Sequence, residues 1–267
     1  MKKIMTHIVA GYPTMKKCEG LALLMAREGV SFIEIQIPFS DPVADGPVIM
    51  EANKTALLQG VTVADCFNLM KRIRKKTSTP LLFMTYFNIL HHYGVERFVR
   101  HAKACGCYGL IVPDMPIDEE SGENYLAFCK KYGVRAIQIV SPLTPGRRLK
   151  MVTRSAGGFV YCVARYGTTG TGDVDARGLG EYLKKVREYT NLPLAVGFGI
   201  SKKEDVAVVQ KYADIAVIGS KILQILEEEG LPAVRLFLRS ILSRHKKPKT
   251  AQRKHSAKRK SNPLPDS

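Results

Sequence analysis

Two carboxylates are the residues of this chain whose type and surroundings most clearly suggest chemistry. Glu34 stands inside the apolar run of residues 31–37, and Asp45 follows in a loop rich in Pro, Asp and Gly. A carboxylate buried without a partner is costly, so Glu34 is paired, protonated or catalytic, unless its strand lies at a sheet edge with the carboxylate in water. A buried carboxyl group suits proton transfer near neutral pH. Asp45, beside Gly46, is expected to stay ionised and to stabilise a positive centre, which divides acid and base roles between two carboxyl groups.

Three glycine-containing segments indicate an anion site. Gly167-Thr-Thr-Gly170, Gly197-Phe-Gly199 and Gly219-Ser220 each follow a predicted strand. Glycine lets backbone N–H groups approach an anion closely, and a helix opening at Ser220 adds its positive N-terminal end. The alternative is that these glycines only form tight strand-to-helix turns. Their shared position at strand ends favours a phosphate site, and the P-loop motif Gly-x-x-x-x-Gly-Lys-Ser/Thr is absent.

Short apolar runs alternate with segments of helical periodicity along most of the chain. Strands are predicted at 4–10, 31–37, 80–86, 108–112, 134–140, 159–163, 193–196 and 214–218. Helices are predicted at 16–28, 48–58, 65–75, 95–104, 121–131, 146–154, 178–188, 203–212, 222–229 and 233–243. Eight such units over about 240 residues predict an α/β fold, a single (β/α)8 TIM barrel. A doubly wound sheet is the alternative, but no Gly-x-Gly-x-x-Gly follows the first strand.

Side-chain alternation along the second strand predicts which way Glu34 points. One face carries only isoleucine and suits the layer between strands and helices, so the face with Glu34 is expected to line the barrel interior. Working residues of such barrels lie at the C-terminal ends of the strands. The two faces consist of Phe32, Glu34 and Gln36, and of Ile33, Ile35 and Ile37.

Charge is concentrated at the C-terminus. The chain carries a net charge of +17, of which the nine Lys/Arg and one Asp of residues 244–267 supply +8 and the rest of the chain +9. We therefore predict two parts, a barrel domain over 1–243 and a disordered Lys/Arg-rich tail over 244–267. Nucleic acid is not expected as a partner, because a solvated tail explains the charge. Binding by that tail is the alternative, and it would weaken strongly with salt.

The remaining composition is typical of a cytoplasmic protein. No apolar run reaches the roughly 20 residues of a membrane span, and no signal-peptide pattern follows Met1-Lys-Lys3. The cysteines form no Cys-x-x-Cys pair and no zinc spacing, which predicts reduced core thiols and no metal site. The six are Cys18, Cys66, Cys105, Cys107, Cys129 and Cys162.

Five ordered motifs resemble those of the tryptophan synthase alpha chain family. The first is Pro38-Phe-Ser-Asp-Pro-Val-Ala-Asp-Gly-Pro47, preceded by Glu34, and the resemblance extends over residues 6–242. The other four are Val112-Pro-Asp-Met-Pro116, Ala164-Arg-Tyr-Gly-Thr-Thr-Gly170, Gly197-Phe-Gly-Ile-Ser201 and Ile218-Gly-Ser220.

The resemblance implies a carbon–carbon lyase that cleaves indole-3-glycerol phosphate to indole and glyceraldehyde 3-phosphate in tryptophan biosynthesis. It implies that Glu34 is the catalytic proton shuttle and that Asp45 holds the indole N–H. Thr169 falls in a mobile loop that closes over the site and orders that aspartate. The implied indole pocket contains Tyr86 and Tyr161, and the implied phosphate site contains Gly170, Phe198, Gly199, Gly219 and Ser220.

The resemblance also implies a partner, the tryptophan synthase beta chain, in an α2β2 heterotetramer in which indole passes through an internal tunnel. The contact surface would include the loop 41–45 and the segment 114–116. Pyridoxal phosphate is expected only in that beta chain. No cofactor and no metal ion are expected in this chain.

Three departures from the family pattern lie near the expected site. Gln36 replaces the usual Gly and is expected either to hydrogen-bond Glu34 or to narrow the cavity, and His7 occupies a wall position that is commonly Phe. The sequence opens on its first strand without the usual preceding helix, so less cover is expected at the barrel bottom. These departures motivate the alternative of a non-catalytic subunit that docks on a beta chain and activates it.

Overall fold

Eight parallel strands close into a barrel in which each strand pairs with its neighbours in the sequence and β8 pairs with β1. The structure is a computed structural model that describes residues 3–115, 117, 123–164, 176–197 and 199–242. The predicted (β/α)8 barrel is confirmed. The strands are β1 Lys3–Val9, β2 Phe32–Gln36, β3 Leu81–Met84, β4 Gly109–Ile111, β5 Arg135–Val140, β6 Val160–Val163, β7 Leu194–Gly197 and β8 Ile215–Ile218.

Eleven helices among the described residues surround this barrel. Ten of them were predicted, two with the observed bounds and eight with ends that differ by a few residues. The helices are α1 Met15–Glu28, α2 Pro47–Leu58, α3 Val63–Arg74, α4 Phe87–Tyr93, α5 Val95–Ala104, α6 Tyr125–Tyr132, α7 Gly146–Ser155, α8 Ala176–Arg187, α9 Lys203–Tyr212, α10 Ser220–Glu228 and α11 Gly230–Leu242.

Local capping explains several of these boundaries. As predicted, α1 stops at Gly29, which adopts a left-handed conformation with a φ of 90°. The predicted start of α3 was two residues late, because Thr62 and Asp65 form a capping box ahead of it. The short α4 was not predicted, and it carries His91 and His92 in its last turn.

The two faces of β2 lie as the alternation predicts. Phe32 belongs to an apolar cluster that fills the barrel together with Leu82, Met84, Ile111 and Phe159. The three isoleucines 33, 35 and 37 belong to the cluster between strands and helices. The side chains that share a face with Phe32 are therefore on the inner side of the barrel.

An aromatic cluster fills the N-terminal end of the barrel, where the sequence predicted little cover. The Phe32 ring contacts Tyr108 and Phe159 edge-on, at centroid distances of 5.6 and 5.5 Å. Lys3 Nζ lies 5.7 Å from the Phe32 ring centre, and Arg135 Cζ lies 4.1 Å from that of Tyr108. Two cation–π contacts thus cover the cluster from below.

The pairing of β1 with β2 determines which side chains are neighbours at the C-terminal end of the barrel. Met5 pairs with Phe32, His7 with Glu34 and Val9 with Gln36. Since Phe32 faces inward, the alternation brings His7 and Glu34 side by side toward the C-terminal half of the barrel.

The other predictions of the sequence are met to different extents. All six cysteines are free thiols, and five of them are buried. No helix in the ranges that the structure describes is long and apolar enough to cross a bilayer. The tail 244–267 and its boundary with the barrel lie outside the described residues, so the two-part division stays a prediction.

Phe32→Ala should destabilise the barrel by about 3–5 kcal/mol, because it leaves a cavity among rings that cannot all move inward. Urea unfolding followed by circular dichroism measures this change. Leu236→Ala is the control, since that side chain is 68% exposed, and it should change stability by less than about 0.5 kcal/mol. A loss below about 1 kcal/mol for Phe32→Ala would contradict the role given to the aromatic cluster.

Candidate active site

A cavity of about 550 Å³ opens at the C-terminal end of the barrel. Its size and mixed lining are typical of a small-molecule site. Of the ten site residues that the sequence predicted, six line this cavity: Glu34, Asp45, Tyr161, Gly199, Gly219 and Ser220. Thr169, Gly170 and Phe198 lie outside the described residues.

Glu34 reaches the cavity from the inner face of β2. It is 3% exposed, and its Oε1 lies 3.1 Å from Nδ1 of His7, which is 6% exposed. The other carboxylate oxygen, Oε2, is buried without a hydrogen-bond partner among the described residues. Glu34 therefore has one oxygen held by the protein and one available to a ligand.

His7 responds to its acidic surroundings. Burial alone would lower the pKa of the imidazole, but the neighbouring Glu34 carboxylate raises it, and Asp45 and Gln36 add to this, so that the pKa of His7 lies above its ordinary value. An imidazole beside a carboxylate is thereby shifted toward its charged form near neutral pH.

Asp45 is held by side chains from β2 and from the segment after β3. Gln36 Nε2 donates to Asp45 Oδ2 at 2.6 Å, and the hydroxyl of Tyr86 donates to the same oxygen at 3.2 Å. Burial raises the pKa of Asp45, while the charge of His7 and the hydrogen bonds from Gln36 and Tyr86 oppose that rise. Asp45 also lies just ahead of the N-terminus of α2, whose dipole favours a negative charge.

Gln36 donates a hydrogen bond to Asp45, whereas a bond to Glu34 was one of the two expectations. The sequence left open a bond to Glu34 or a narrower cavity, whereas the amide of Gln36 donates to Asp45 and, at 3.3 Å, to Asn53 Oδ1. Asn53 also accepts a bond from the Phe39 backbone N–H at 3.0 Å. The loop after β2 is thus tied to α2 through a buried amide, a feature that the sequence did not reveal.

Tyr86 differs from its expected position. The sequence placed it in the indole pocket, but it is fully buried and is not among the residues that line the cavity. Its ring stacks on Phe39 at 5.0 Å, and its hydroxyl accepts a bond from the Ala44 N–H at 3.0 Å. Its contact with the site is therefore through Asp45.

Tyr161 lies at the opposite wall, on β6. Burial, reinforced by the charges of Glu34 and Asp45, raises the pKa of its hydroxyl well above the ordinary value, so it stays neutral. A side chain at Gly197 would place its Cβ 2.8 Å from that hydroxyl. The glycine is therefore needed for the tyrosine to occupy its position.

The loops after β7 and β8 form the end of the cavity at which the sequence predicted an anion site. Ser220 is the first residue of α10, whose N-cap, Gly219, provides no capping side chain. The first N–H groups of a helix lack partners within the helix. Gly199, with a φ of 61°, and Lys221 lie at the same cavity, so backbone donors and a cation surround one space.

Asp114 serves a structural purpose at the neighbouring loop. Its Oδ1 accepts a hydrogen bond from the Phe87 N–H at 2.8 Å, and Phe87 is the first residue of α4. The carboxylate therefore caps that helix from the loop after β4.

The arrangement can combine three actions. A carboxyl group with one open oxygen can exchange protons, a second carboxylate can stabilise a positive centre, and a helix N-terminus can bind phosphate. All three border one cavity. Such a set suits the acid/base cleavage of a phosphorylated substrate.

Known proteins are similar to this chain in sequence and in architecture. The family model described as tryptophan synthase alpha chain matches residues 1–256. The tryptophan synthase alpha chain of Syntrophotalea carbinolica is 44% identical over 238 residues, which cover 89% of this chain and 93% of that relative. That of Desulfotalea psychrophila is 45% identical, with the same coverage of both chains.

Solved structures agree with the sequence comparison. A chain of Mycobacterium tuberculosis tryptophan synthase superposes with a TM-score of 0.84 at 30% identity, covering 90% of this chain and 91% of that one. The tryptophan synthase subunit alpha of Campylobacter jejuni gives a TM-score of 0.80 at 35% identity, covering 90% and 95%. The sequence match, the closed barrel and its cavity together establish that the chain belongs to the tryptophan synthase alpha chain family.

Proposed function

We propose that Glu34 and Asp45 carry out the lyase reaction of this family, the cleavage of indole-3-glycerol phosphate to indole and glyceraldehyde 3-phosphate. As a member of the family, the chain is a carbon–carbon lyase of tryptophan biosynthesis. The observation that supports the assignment most directly is Glu34 itself. One of its oxygens has no partner among the described residues, and its side chain lines the same cavity as Ser220 at the N-terminus of α10.

Glu34 performs two proton transfers in the proposed reaction. Its carboxyl group first protonates C3 of the indole ring. The C2–C3 double bond supplies the electron pair, which leaves positive charge on the ring nitrogen. The resulting carboxylate then takes the proton of the hydroxyl on the adjacent glycerol carbon. The O–H electron pair becomes the aldehyde C=O, the carbon–carbon bond breaks, and its pair returns to the ring as indole forms. The carboxyl group ends as it began.

Asp45 stabilises the positive charge between these transfers. Its Oδ2 is occupied by Gln36 and Tyr86, so Oδ1 is the oxygen assigned to the ring N–H. A charge held in place before the reaction needs little reorganisation during it. Tyr86 acts in this scheme by fixing Asp45, and Tyr161 provides the wall against the ring.

The phosphate is assigned to the space between Gly199, Gly219 and Ser220. The N-terminus of α10 supplies partial positive charge there, and barrels commonly bind phosphate at the loops after strands seven and eight. The family resemblance also assigns Gly170 and Phe198 to this site and Thr169 to a loop beside it, and all three lie outside the described residues.

Family membership implies a beta-chain partner. We assign to that partner a surface that includes the loop 41–45 and the segment 114–116. In that loop the apolar Val43 is 74% exposed. An α2β2 assembly in the cytoplasm is the proposed state, with pyridoxal phosphate held by the beta chain alone. Glu34, Asp45 and the phosphate site are sufficient for the steps above.

Glu34→Gln should lower kcat by about 10² to 10⁴-fold, because an amide cannot exchange the protons, while KM changes only a few-fold. Indole release from indole-3-glycerol phosphate, with and without a beta chain, measures both constants. Glu51→Gln is the matched control, since the Glu51 side chain is 62% exposed on α2. Turnover within about threefold of the native chain would refute the assignment of Glu34.

Ser220→Asp should weaken binding of glyceraldehyde 3-phosphate by about 10 to 100-fold through like-charge repulsion. Ser220→Ala separates loss of the hydroxyl from added charge, and Ser240→Asp places the same charge on an exposed position of α11. Isothermal titration calorimetry at low and high salt provides the dissociation constants. Equal affinities for all four proteins would place the phosphate elsewhere.

Gln36→Leu should move the acid limb of the kcat/KM profile to higher pH. The amide of Gln36 lowers the pKa of Asp45, so its removal raises that pKa and protonates Asp45 at a higher pH. Gln59→Leu, an exposed glutamine after α2, serves as the control. An unchanged acid limb would show that Gln36 does not set the charge of Asp45.

A further inference from the structure

We propose that His7 is a positioning residue for Glu34, whose Nδ1–H fixes Oε1 and leaves Oε2 as the oxygen that exchanges protons with the substrate. The inference rests on the proposed function and adds a residue to it. His7 carries out no bond-breaking step in this scheme. It determines which carboxylate oxygen meets the substrate and stabilises that group when it is ionised.

The register of β1 and β2 brings the side chains of His7 and Glu34 into contact. His7 and Glu34 are direct neighbours in the β1–β2 ladder. Their side chains share the inner face, and Nδ1 and Oε1 are 3.1 Å apart. Both groups are nearly inaccessible to solvent, so this hydrogen bond does not compete with bulk water. A hydrogen bond to a charged, buried group is among the stronger ones in proteins.

The two free atoms of the pair mark the side where a ligand binds. Glu34 Oε2 and His7 Nε2 are buried and lack a partner among the described residues, although both residues line the cavity. Native proteins leave few such atoms unsatisfied. Their presence here points to a polar ligand between them.

The far edge of the imidazole extends to the phosphate end. A Cβ at Gly219 would lie 3.2 Å from His7 Cβ and 3.5 Å from Cδ2, and Cδ2 is bonded to Nε2. Gly219 immediately precedes α10. The ring therefore spans the distance from the proton-exchanging carboxylate to the backbone of the phosphate site. Nε2 is placed to meet the glycerol part of the substrate.

The charges around His7 favour this role. Glu34 and Gln36 face it from β2, Asp45 from the loop after β2, and Tyr161 from β6, while Lys221 lies at the cavity on α10. Among the described residues that line the cavity, the two carboxylates outnumber the one Lys or Arg side chain. They keep the pKa of His7 raised, and the carboxylate of Glu34 selects the tautomer with hydrogen on Nδ1 when the ring is neutral.

This donor matters most at the midpoint of the reaction. After C3 receives its proton, Glu34 is a carboxylate until it takes the proton of the substrate hydroxyl. A donor on Oε1 stabilises that form and holds Oε2 toward the hydroxyl. The proton of His7 returns to the same state in each cycle, so the overall balance of the reaction is unchanged.

Replacement by asparagine and by phenylalanine separates positioning from space filling. His7→Phe removes both ring nitrogens and should lower kcat by about 10 to 100-fold, with KM changed less than about threefold. His7→Asn keeps an N–H donor near the position of Nδ1 and should recover most of that loss. Thermal unfolding of both variants verifies that they fold. If the two variants have equal kcat, or if His7→Phe stays within twofold of the native chain, the inference fails.

The pH dependence gives a second readout that a structural role would not move. In the native chain, kcat should fall as the pH rises through the raised pKa of His7, because the positive charge beside the carboxylate is lost. That step should be absent from both variants, whereas a step due to the substrate phosphate should appear in all three proteins. Persistence of the alkaline step in His7→Phe would overturn the proposal.

The third test measures the pKa of His7 directly and does not depend on catalytic activity. Imidazole nitrogen NMR of the full chain, assigned by comparison with His7→Asn, should give a pKa for His7 above 6.5, and that pKa should fall in Glu34→Gln. An unchanged pKa in Glu34→Gln would exclude the pairing. If Glu34→Gln still cleaves the substrate, the proposed function itself fails. If it is inactive while His7→Phe is normal, only the role of His7 is lost.

Discussion

The site depends on one constraint, which is that two carboxyl groups share a cavity with little water around them. Each must have a donor, because an unpaired buried carboxylate is costly. The barrel provides these donors from neighbouring strands, His7 on β1 for Glu34 and Gln36 on β2 for Asp45. In each pair one oxygen is occupied, and Glu34 keeps its second oxygen unpartnered among the described residues. The network that stabilises the charges therefore also orients them.

This organisation ties chemistry to backbone geometry. The distance between His7 and Glu34 follows from strand pairing. Asp45 is held by Gln36 on β2, whose amide also bonds Asn53 on α2, and by Tyr86 just after β3. Rigid elements hold reactive groups more precisely than loops do. Gly219 adds a physical link, since a Cβ at this position would contact His7 and the residue immediately precedes α10, where the phosphate is proposed to bind. In the proposed reaction, the parts of the protein that bind the two ends of the substrate therefore lie next to each other.

Much of this architecture could be predicted from the sequence. The alternation of Glu34 with the isoleucines of β2 identified the inner face, and the spacing of eight strands predicted the barrel, because both follow from short-range periodicity. The glycines after β7 and β8 were likewise located by their position at strand ends. The family resemblance was enough to assign Glu34, Asp45 and Tyr161 to one site, and all three line the cavity.

The partners of those residues could not be predicted, because they depend on register and side-chain reach. Gln36 lies on the same face as Glu34, yet its amide extends to Asp45 in the following loop. Tyr86 follows a strand as a pocket residue would, but its ring packs on Phe39 and only its hydroxyl reaches Asp45. His7 could have been paired with Glu34 from the sequence only if the β1–β2 register had been known. The short α4 has too few turns to show a clear period.

The close approaches at Gly197 and Gly219 limit how this cavity can diversify. A methyl group at either position would press on Tyr161 or His7, so the floor of the cavity has little freedom to change its shape. Aliphatic residues of the loop after β2 and the start of α2, Val43 and Val48, also border the space and are not held by such a close approach. Descendants of this barrel that accept bulkier or smaller aromatic compounds would therefore be expected to differ at the rim while retaining both glycines.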